Sequence, residues 1–217
     1  MSIRDERKQQ SRQALLDAAL KLSISGRSFS ATSLREITRS VGLVPAAFYR
    51  HFQNIDQLAE ELVDQVGLQF KSIQHQFHQI YFRDPQNGIS RGLEYFLFAV
   101  EQHPQIWTFF ITERWGGSHT LRQAIAREID FLIQDLAQAL QHLDQLRQHT
   151  SLDPDECYQI ANILINLSFT WAVTWITASQ QNSCPALQQE KEQLHTQMEK
   201  QIKLIFRGRI KNKNQDQ

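Results

Sequence analysis

Scarce punctuation constrains this chain more than any other property. Its 217 residues include only 8 Gly and 5 Pro, and most fall at a few places: Gly26, Gly42-Pro45, Pro85-Gly88, Pro104, Gly116-Gly117, Pro154 and Pro185. A β-protein needs a turn after nearly every strand, so so few breakers favour long helices. Gln, a good helix former, is the commonest polar residue, and alternating runs of Val, Ile and Thr are absent. With 41% hydrophobic residues, including 13 Phe and 4 Trp, the chain can bury a substantial core and is not a disordered one. Its length suits one large domain or two small ones.

Read between the breakers, the pattern predicts a helix over Asp5–Ser23, with Leu15, Ala18, Ala19 and Leu22 on one face and Gly26 as its stop. The Ser-rich stretch 23–33 is too short to link independent domains. Ser33-Leu-Arg-Glu36 has capping-box spacing, with Thr32 as an alternative cap, and opens a second helix that ends near Gly42. A third begins at Pro45, a residue favoured at the first helical position. Longer helices follow over Asp56–Tyr81, Gly92–Gln102, Gln105–Trp115, His119–Gln148, Pro154–Ser179 and Pro185–Arg209, the first of these broken by Asp84-Pro85-Gln86-Asn87-Gly88. The last ends in the basic tail Arg207, Arg209, Lys211 and Lys213. The most apolar stretch, Ile160–Ala178, is interrupted by Asn162, Asn166, Ser168, Thr170, Thr174 and Thr177, so it reads as a buried helix and not a membrane span.

The formal net charge of zero hides an asymmetry. Residues 1–52 carry nine Lys/Arg against four Asp/Glu, and the remainder carries 14 against 19. A basic head on an acidic body points to nucleic acid as the partner of the head. The segment Ser33–Phe52 has helix-turn-helix form: Leu34, Ile37, Val41, Leu43, Phe48 and Phe52 are spaced to share a small core, with Gly42 at the sharp turn. The second helix of such a pair enters the major groove by its N-terminal residues. Here those are Val44, Pro45, Ala46 and Ala47, which can meet a thymine methyl but form no bidentate hydrogen bond. Specificity therefore leans on Arg35, Arg50 and DNA shape, while Tyr49 and His51 suit phosphate contacts. Arg4, Arg7, Lys8 and Arg12 of the basic first helix, with Thr32 and Ser33, complete the expected DNA-contact set.

The layout resembles the TetR family of bacterial repressors. It shares a basic first helix ending in Gly26, then Ala31-Thr32-Ser33, Ile37, Val41-Gly42 and Phe48-Tyr49-Arg50-His51-Phe52. Two departures stand out: Thr38 where the family prefers Ala, and Asn54-Ile55-Asp56 where many members carry a phosphate-binding Lys. Arg114-Trp-Gly-Gly-Ser, Arg122-Gln-Ala-Ile-Ala-Arg-Glu and Asp56-Gln-Leu are similar to the FabR and DesT branch, which controls unsaturated fatty acid synthesis. The resemblance implies an all-α, TetR-like fold. Residues 1–53 would form a three-helix helix-turn-helix domain and 54–217 a larger helical ligand-binding and dimerisation domain. It also implies a homodimer through the last two helices on a palindromic operator, and a long-chain acyl-CoA or acyl-ACP as effector.

For that effector the sequence offers Phe96, Trp107, Phe110, Trp115, Phe169 and Trp171 as apolar lining. Arg114 and Arg122 could receive a phosphate-bearing head group. Burying a methylene is worth about 0.8 kcal/mol, so a C16 chain offers on the order of 10 kcal/mol gross, ample for micromolar binding after ordering costs. A cis double bond changes the shape of the tail and not its area, so two chains can bind alike yet favour different conformations. Two other readings stay open: a TetR-type repressor of an efflux or catabolic operon answering an aromatic or cationic molecule, and a helical acyl-binding protein or hydrolase without DNA function. His75 and His78 lack a third ligand and read as a solvated face. Neither a Gly-rich phosphate loop nor a nucleophile motif occurs, so no enzyme, metal or cofactor is expected. Cys157 and Cys184 make no disulfide framework and fit the cytoplasm. The charged start MSIRDERKQQ lacks the apolar region of a signal peptide.

Overall fold

The computed structural model describes residues 3–83, 87–146, 153–180 and 185–211. Among these, α1 (Ile3–Ser23), α2 (Leu34–Ser40), α3 (Pro45–Phe48), α4 (Ile55–Arg83), α5 (Gly88–Gln102), α6 (Pro104–Glu113), α7 (His119–Leu146), α8 (Pro154–Gln180) and α9 (Pro185–Lys211) follow one another with no strand. One 3-10 turn, Phe29–Ala31, precedes α2. The helices expected from the punctuation are present with shifted ends. Asn54 caps α4 through its Oδ1, which accepts from Gln57 N at 2.8 Å, so the helix opens one residue earlier than Asp56. α6 stops at Glu113, short of Trp115. Of the expected break Asp84–Gly88, residues 84–86 lie outside the described residues, as do the end of α7 at Gln148, Cys184 and Lys213, while Gly88 already opens α5, ahead of the expected Gly92.

The chain divides into two compact units. The first takes in residues up to Gln69 together with Gln105–Ile129, hence α1 to α3, α6 and the N-terminal parts of α4 and α7. Its interior is built on Leu15 and Ala19 of α1, Ile37 of α2, Phe48 and Phe52, and Leu58 and Val63 of α4. The second takes in Phe70–Pro104 and the chain from Asp130, hence α5, α8, α9 and the C-terminal parts of α4 and α7. Leu93, Val100, Leu132, Ala161, Ala172 and Met198 are buried there.

The apolar stretch 160–178, expected as a buried helix, is buried only in part. α8 is long and apolar enough to cross a membrane by length and composition, yet only 28% of its most apolar window is buried. It buries Ala161, Phe169, Trp171, Ala172 and Trp175 and exposes Ile163 and Val173. The polar residues that interrupt it turn back on their own helix: Ser168 Oγ donates to Ile165 O at 2.8 Å and Thr174 Oγ1 to Thr170 O at 2.9 Å. Their hydroxyls are satisfied locally, so the outward stripe is more apolar than its composition suggests.

The α2–α3 turn shows how local chemistry sets the geometry of the motif. Gly42 has φ +69°. Its N–H donates to Arg39 O at 3.2 Å and that of Leu43 to Thr38 O at 2.9 Å, the paired bonds of a Schellman ending. A Cβ at Gly42 would meet nothing within 4 Å, so the constraint is conformational and not steric crowding. Gly42→Ala should therefore cost about 1–2 kcal/mol of stability, the penalty of a left-handed alanine, and Gly42→Asn clearly less. Urea denaturation of the three proteins measures this, and an unchanged midpoint for the alanine variant would refute it.

Candidate nucleic-acid interface

Ser33 begins the interface. Its Oγ accepts from Glu36 N at 3.2 Å, while Glu36 Oε2 accepts from Ser33 N at 2.9 Å, completing the capping box predicted from spacing. These bonds from Ser33, with Arg27 at 3.3 Å from the carboxylate, hold the Glu36 pKa below its ordinary value. Thr32, the alternative cap, is buried at 7% exposure and presents little surface. Thr38 is buried too, its hydroxyl spent on Leu34 O and Arg35 O at 3.0 and 3.2 Å. A threonine thus replaces alanine there without leaving a polar atom unpaired.

α3 is a single turn, Pro45–Phe48, with Val44 as N-cap residue and Pro45 at its start. It continues as tight bonds, His51 N to Phe48 O at 2.8 Å and Phe52 N to Phe48 O at 3.0 Å. Phe48 and Phe52 pack tilted at 5.4 Å between ring centroids and are sealed inside with Ile37. Leu34, Val41 and Leu43 are only half-buried. With its aromatic side turned inward, the short helix presents Val44, Pro45 and Ala46 outward, Ala47 half-covered, and Tyr49 at 63% exposure. Arg35 and Arg50 are exposed, as are Arg4, Arg7 and Lys8 along the start of α1.

Arg12 is different. Its guanidinium points inward, with Nε donating to Glu61 Oε1 at 2.7 Å and further bonds to Glu61 Oε2 and His51 O. His51 is half-buried, and its Nδ1 is buried with no hydrogen-bond partner among the described residues. Burial first, then the cations of Arg12, Lys8 and Arg50, lower its pKa, so the imidazole is neutral at neutral pH.

The residues expected to hold an effector fall into two groups. In the first unit Trp107 and Phe110 are core residues of α6, and Arg114 lies 5.4 Å from the ring of Trp115, which is 80% exposed. Burial lowers the pKa of Arg114. Arg122 Nη1 donates to Gly116 O at 2.6 Å and so braces the Gly116-Gly117 turn. In the second unit Phe96 meets Trp171 edge-on at 6.4 Å. Phe169 likewise meets Phe70, at 5.9 Å, a buried aromatic of α4 that sequence reasoning missed because polar Gln69 and Lys71 flank it in the chain. A cleft of about 350 Å³ also lies in this unit, lined in part by Glu101, Trp175 and Lys191. Glu101 Oε1 accepts there from Trp175 Nε1 at 3.0 Å and from Lys191 Nζ at 2.7 Å. Nothing local in the sequence announces contacts that span 74 and 90 residues.

Glu113 belongs to no sequence motif, although an acid within the apolar run of α6 is a signal. It is buried at 1% exposure, and its Oε1 accepts from Phe29 N at 2.7 Å, tying α6 to the 3-10 turn ahead of α2. Its Oε2 has no hydrogen-bond partner among the described residues. Burial raises its pKa above the ordinary 4.5, against the lowering effect of the Phe29 bond.

Comparison with known proteins places these features. Residues 15–62 match the tetR family of bacterial regulatory proteins, and residues 85–206 match a tetracyclin repressor-like C-terminal domain. The chain is 29% identical over 208 residues to an uncharacterized HTH-type transcriptional regulator of Haemophilus influenzae, covering 95% of this chain and 93% of that protein. Two solved structures share the fold. The fatty acid degradation regulator FadR of Bacillus halodurans has a TM-score of 0.64 at 12% identity, over 87% of this chain and 94% of its own. NalD, the secondary repressor of the MexAB-OprM multidrug efflux pump in Pseudomonas aeruginosa, has a TM-score of 0.60 at 23% identity, over 94% and 97%.

The buried acid carries a pH signature. Because the folded state holds the Glu113 proton more tightly than the unfolded chain, its contribution to stability is full below pH 4.5 and is lost as pH rises through its raised value. Glu113→Gln keeps an oxygen for Phe29 N and removes the charge. The variant should therefore gain stability over wild type as pH rises from 4.5 to 8, measured by chemical denaturation at each pH. A stability difference that does not change with pH would refute this account.

Proposed function

Since the chain belongs to the TetR family of bacterial regulatory proteins, and is a helix-turn-helix transcriptional regulator and not an enzyme, we propose that it represses genes for fatty-acid desaturation or unsaturated fatty acid synthesis under the control of a long-chain acyl-CoA or acyl-ACP. The observation that carries this reading is the aromatic interior of the second unit, where Phe70, Phe96, Phe169 and Trp171 meet in edge-on pairs. An acyl chain needs an apolar, close-fitting wall, and aromatic edges supply area with little side-chain entropy to lose. The Arg114–Ser118 and Arg122–Glu128 motifs, which resemble the FabR and DesT branch, support it, as does a fold shared with a regulator of fatty acid degradation. Within the first unit, Arg114 and Arg122 are proposed as contacts for a phosphate-bearing group and Trp107, Phe110 and Trp115 as ligand contacts of that unit.

DNA is read by the outward residues of the motif: Val44, Pro45, Ala46 and Ala47 at base edges, Arg35 and Arg50 beside them, and Ser33, Tyr49, His51, Arg4, Arg7 and Lys8 at phosphates. A palindromic operator requires a two-fold dimer. The stripe left uncovered on α8 by Ile163 and Val173, together with exposed Leu204 on α9, offers the apolar surface for it. The protein works in the cytoplasm, where operator and acyl thioester are both found. A second reading, a repressor of an efflux operon, draws on the fold shared with NalD. It predicts an aromatic or cationic effector instead.

Gel-shift titration on a desaturase or fatty-acid synthesis promoter separates these readings. Oleoyl-CoA and palmitoyl-CoA should alter the affinity to different extents, and identical behaviour would exclude acyl sensing. Tyr49→Ala, at an exposed position outside the core, should weaken DNA binding by at least about tenfold while leaving thermal stability unchanged. Wild-type affinity in that variant would remove Tyr49 from the interface.

A further inference from the structure

A one-turn helix has few hydrogen bonds of its own and depends on its surroundings to fix its axis. In α3 the carbonyls of Ala47 and Phe48 are taken by the N–H groups of Arg50, His51 and Phe52, and the chain turns on from there. Arg12 grips the turn that follows α3. Its guanidinium donates through Nε and Nη2 to the two carboxylate oxygens of Glu61 on α4, and through Nη1 to the carbonyl of His51. Its face lies 4.3 Å from the Phe52 ring centroid. A single side chain of α1 thus joins α4 to both the backbone of His51 and the aromatic anchor Phe52 in the turn that follows α3. The fork that would clasp a phosphate is already occupied by a carboxylate.

We infer that Arg12 and Glu61 are positioning residues for operator recognition, and that the acid on α4 is needed for specific DNA binding although its charge opposes that of DNA. The inference rests on the chain reading an operator through α3. Simple electrostatics gives the opposite sign: removing Glu61 would free Arg12 and tighten binding to any duplex. Under the clamp, removing either partner lets α3 tilt and spoils the fit to base edges while phosphate attraction persists.

The test uses the full-length chain and a duplex that the wild type enriches from a random pool, with a scrambled duplex of equal length as control. Glu61→Ala suits a helix interior, so it isolates the clamp from helix propensity. Glu61→Ala and Arg12→Gln should each lose about tenfold on the enriched duplex, the scale of a hydrogen-bonded charge. Both should bind the scrambled duplex as wild type does, with the same slope of affinity against salt. The double variant should be no worse than either single one. Glu61→Gln, whose amide oxygen still accepts one guanidinium N–H, should fall between. Glu61→Ala binding as tightly as wild type or tighter overturns the inference. So does an Arg12→Gln loss on both duplexes with a salt slope smaller by about one, the mark of a phosphate contact. Equal losses on both duplexes for Glu61→Ala at unchanged slope would reflect fewer folded molecules and overturn it too. Should Arg12→Gln fail to fold, the two Glu61 variants decide alone. A wild type that enriches no duplex defeats the operator reading itself, and the clamp falls with it.

Discussion

A helix of four residues cannot stand alone in water, because the cost of fixing its first turn exceeds what its few hydrogen bonds return. α3 exists because Phe48 and Phe52 are withdrawn from solvent against Ile37, each burial worth about 1.5–3 kcal/mol, and because Gly42 turns the chain so that this burial is possible. The outward face follows from that constraint. Once two aromatics are committed inward at spacing four, Val44, Pro45, Ala46 and Tyr49 must look out. Arg12 of α1, bonded to Glu61 of α4, then holds the turn that follows α3 through the carbonyl of His51.

Electrostatics near the motif follows the same economy. Burial first, with help from the cations of Arg12, Lys8 and Arg50, lowers the His51 pKa, and Arg12 itself is answered by Glu61. Glu113 sits further inside, with one oxygen bonded to the backbone of Phe29, and its burial raises its pKa against the lowering effect of that bond. A buried acid so placed trades stability for a fixed link between α6 and the chain entering α2.

Much of this was legible in residue order because its causes are local. Pro45, Pro104, Pro154 and Pro185 begin helices where their missing N–H is harmless, and Ser33 with Glu36 closes a capping box three residues long. What escaped was long-range. Arg12 reads as one more basic residue until a carboxylate 49 positions away takes its fork. Thr32 looks like a surface cap until tertiary packing buries it. The aromatic content of the body was plain, but its division was not: Trp107, Phe110 and Trp115 lie in one unit, Phe96, Phe169 and Trp171 in the other. α8 looked like core because hydropathy counts composition and is blind to which face has a partner.

Three of the four tryptophans, Trp107, Trp171 and Trp175, are buried, while Trp115 stands 80% exposed beside the Arg114 guanidinium. The molecule therefore carries two kinds of intrinsic chromophore. Water around Trp115 reddens its emission and opens it to ionic quenchers, whereas the shielded indoles emit further to the blue and resist them. Trp115 belongs to the unit that holds the helix-turn-helix, and Trp171 and Trp175 to the other. Light from one chain can thus be sorted by colour and quenching into reports from an exposed turn and from a dry interior, with no label attached.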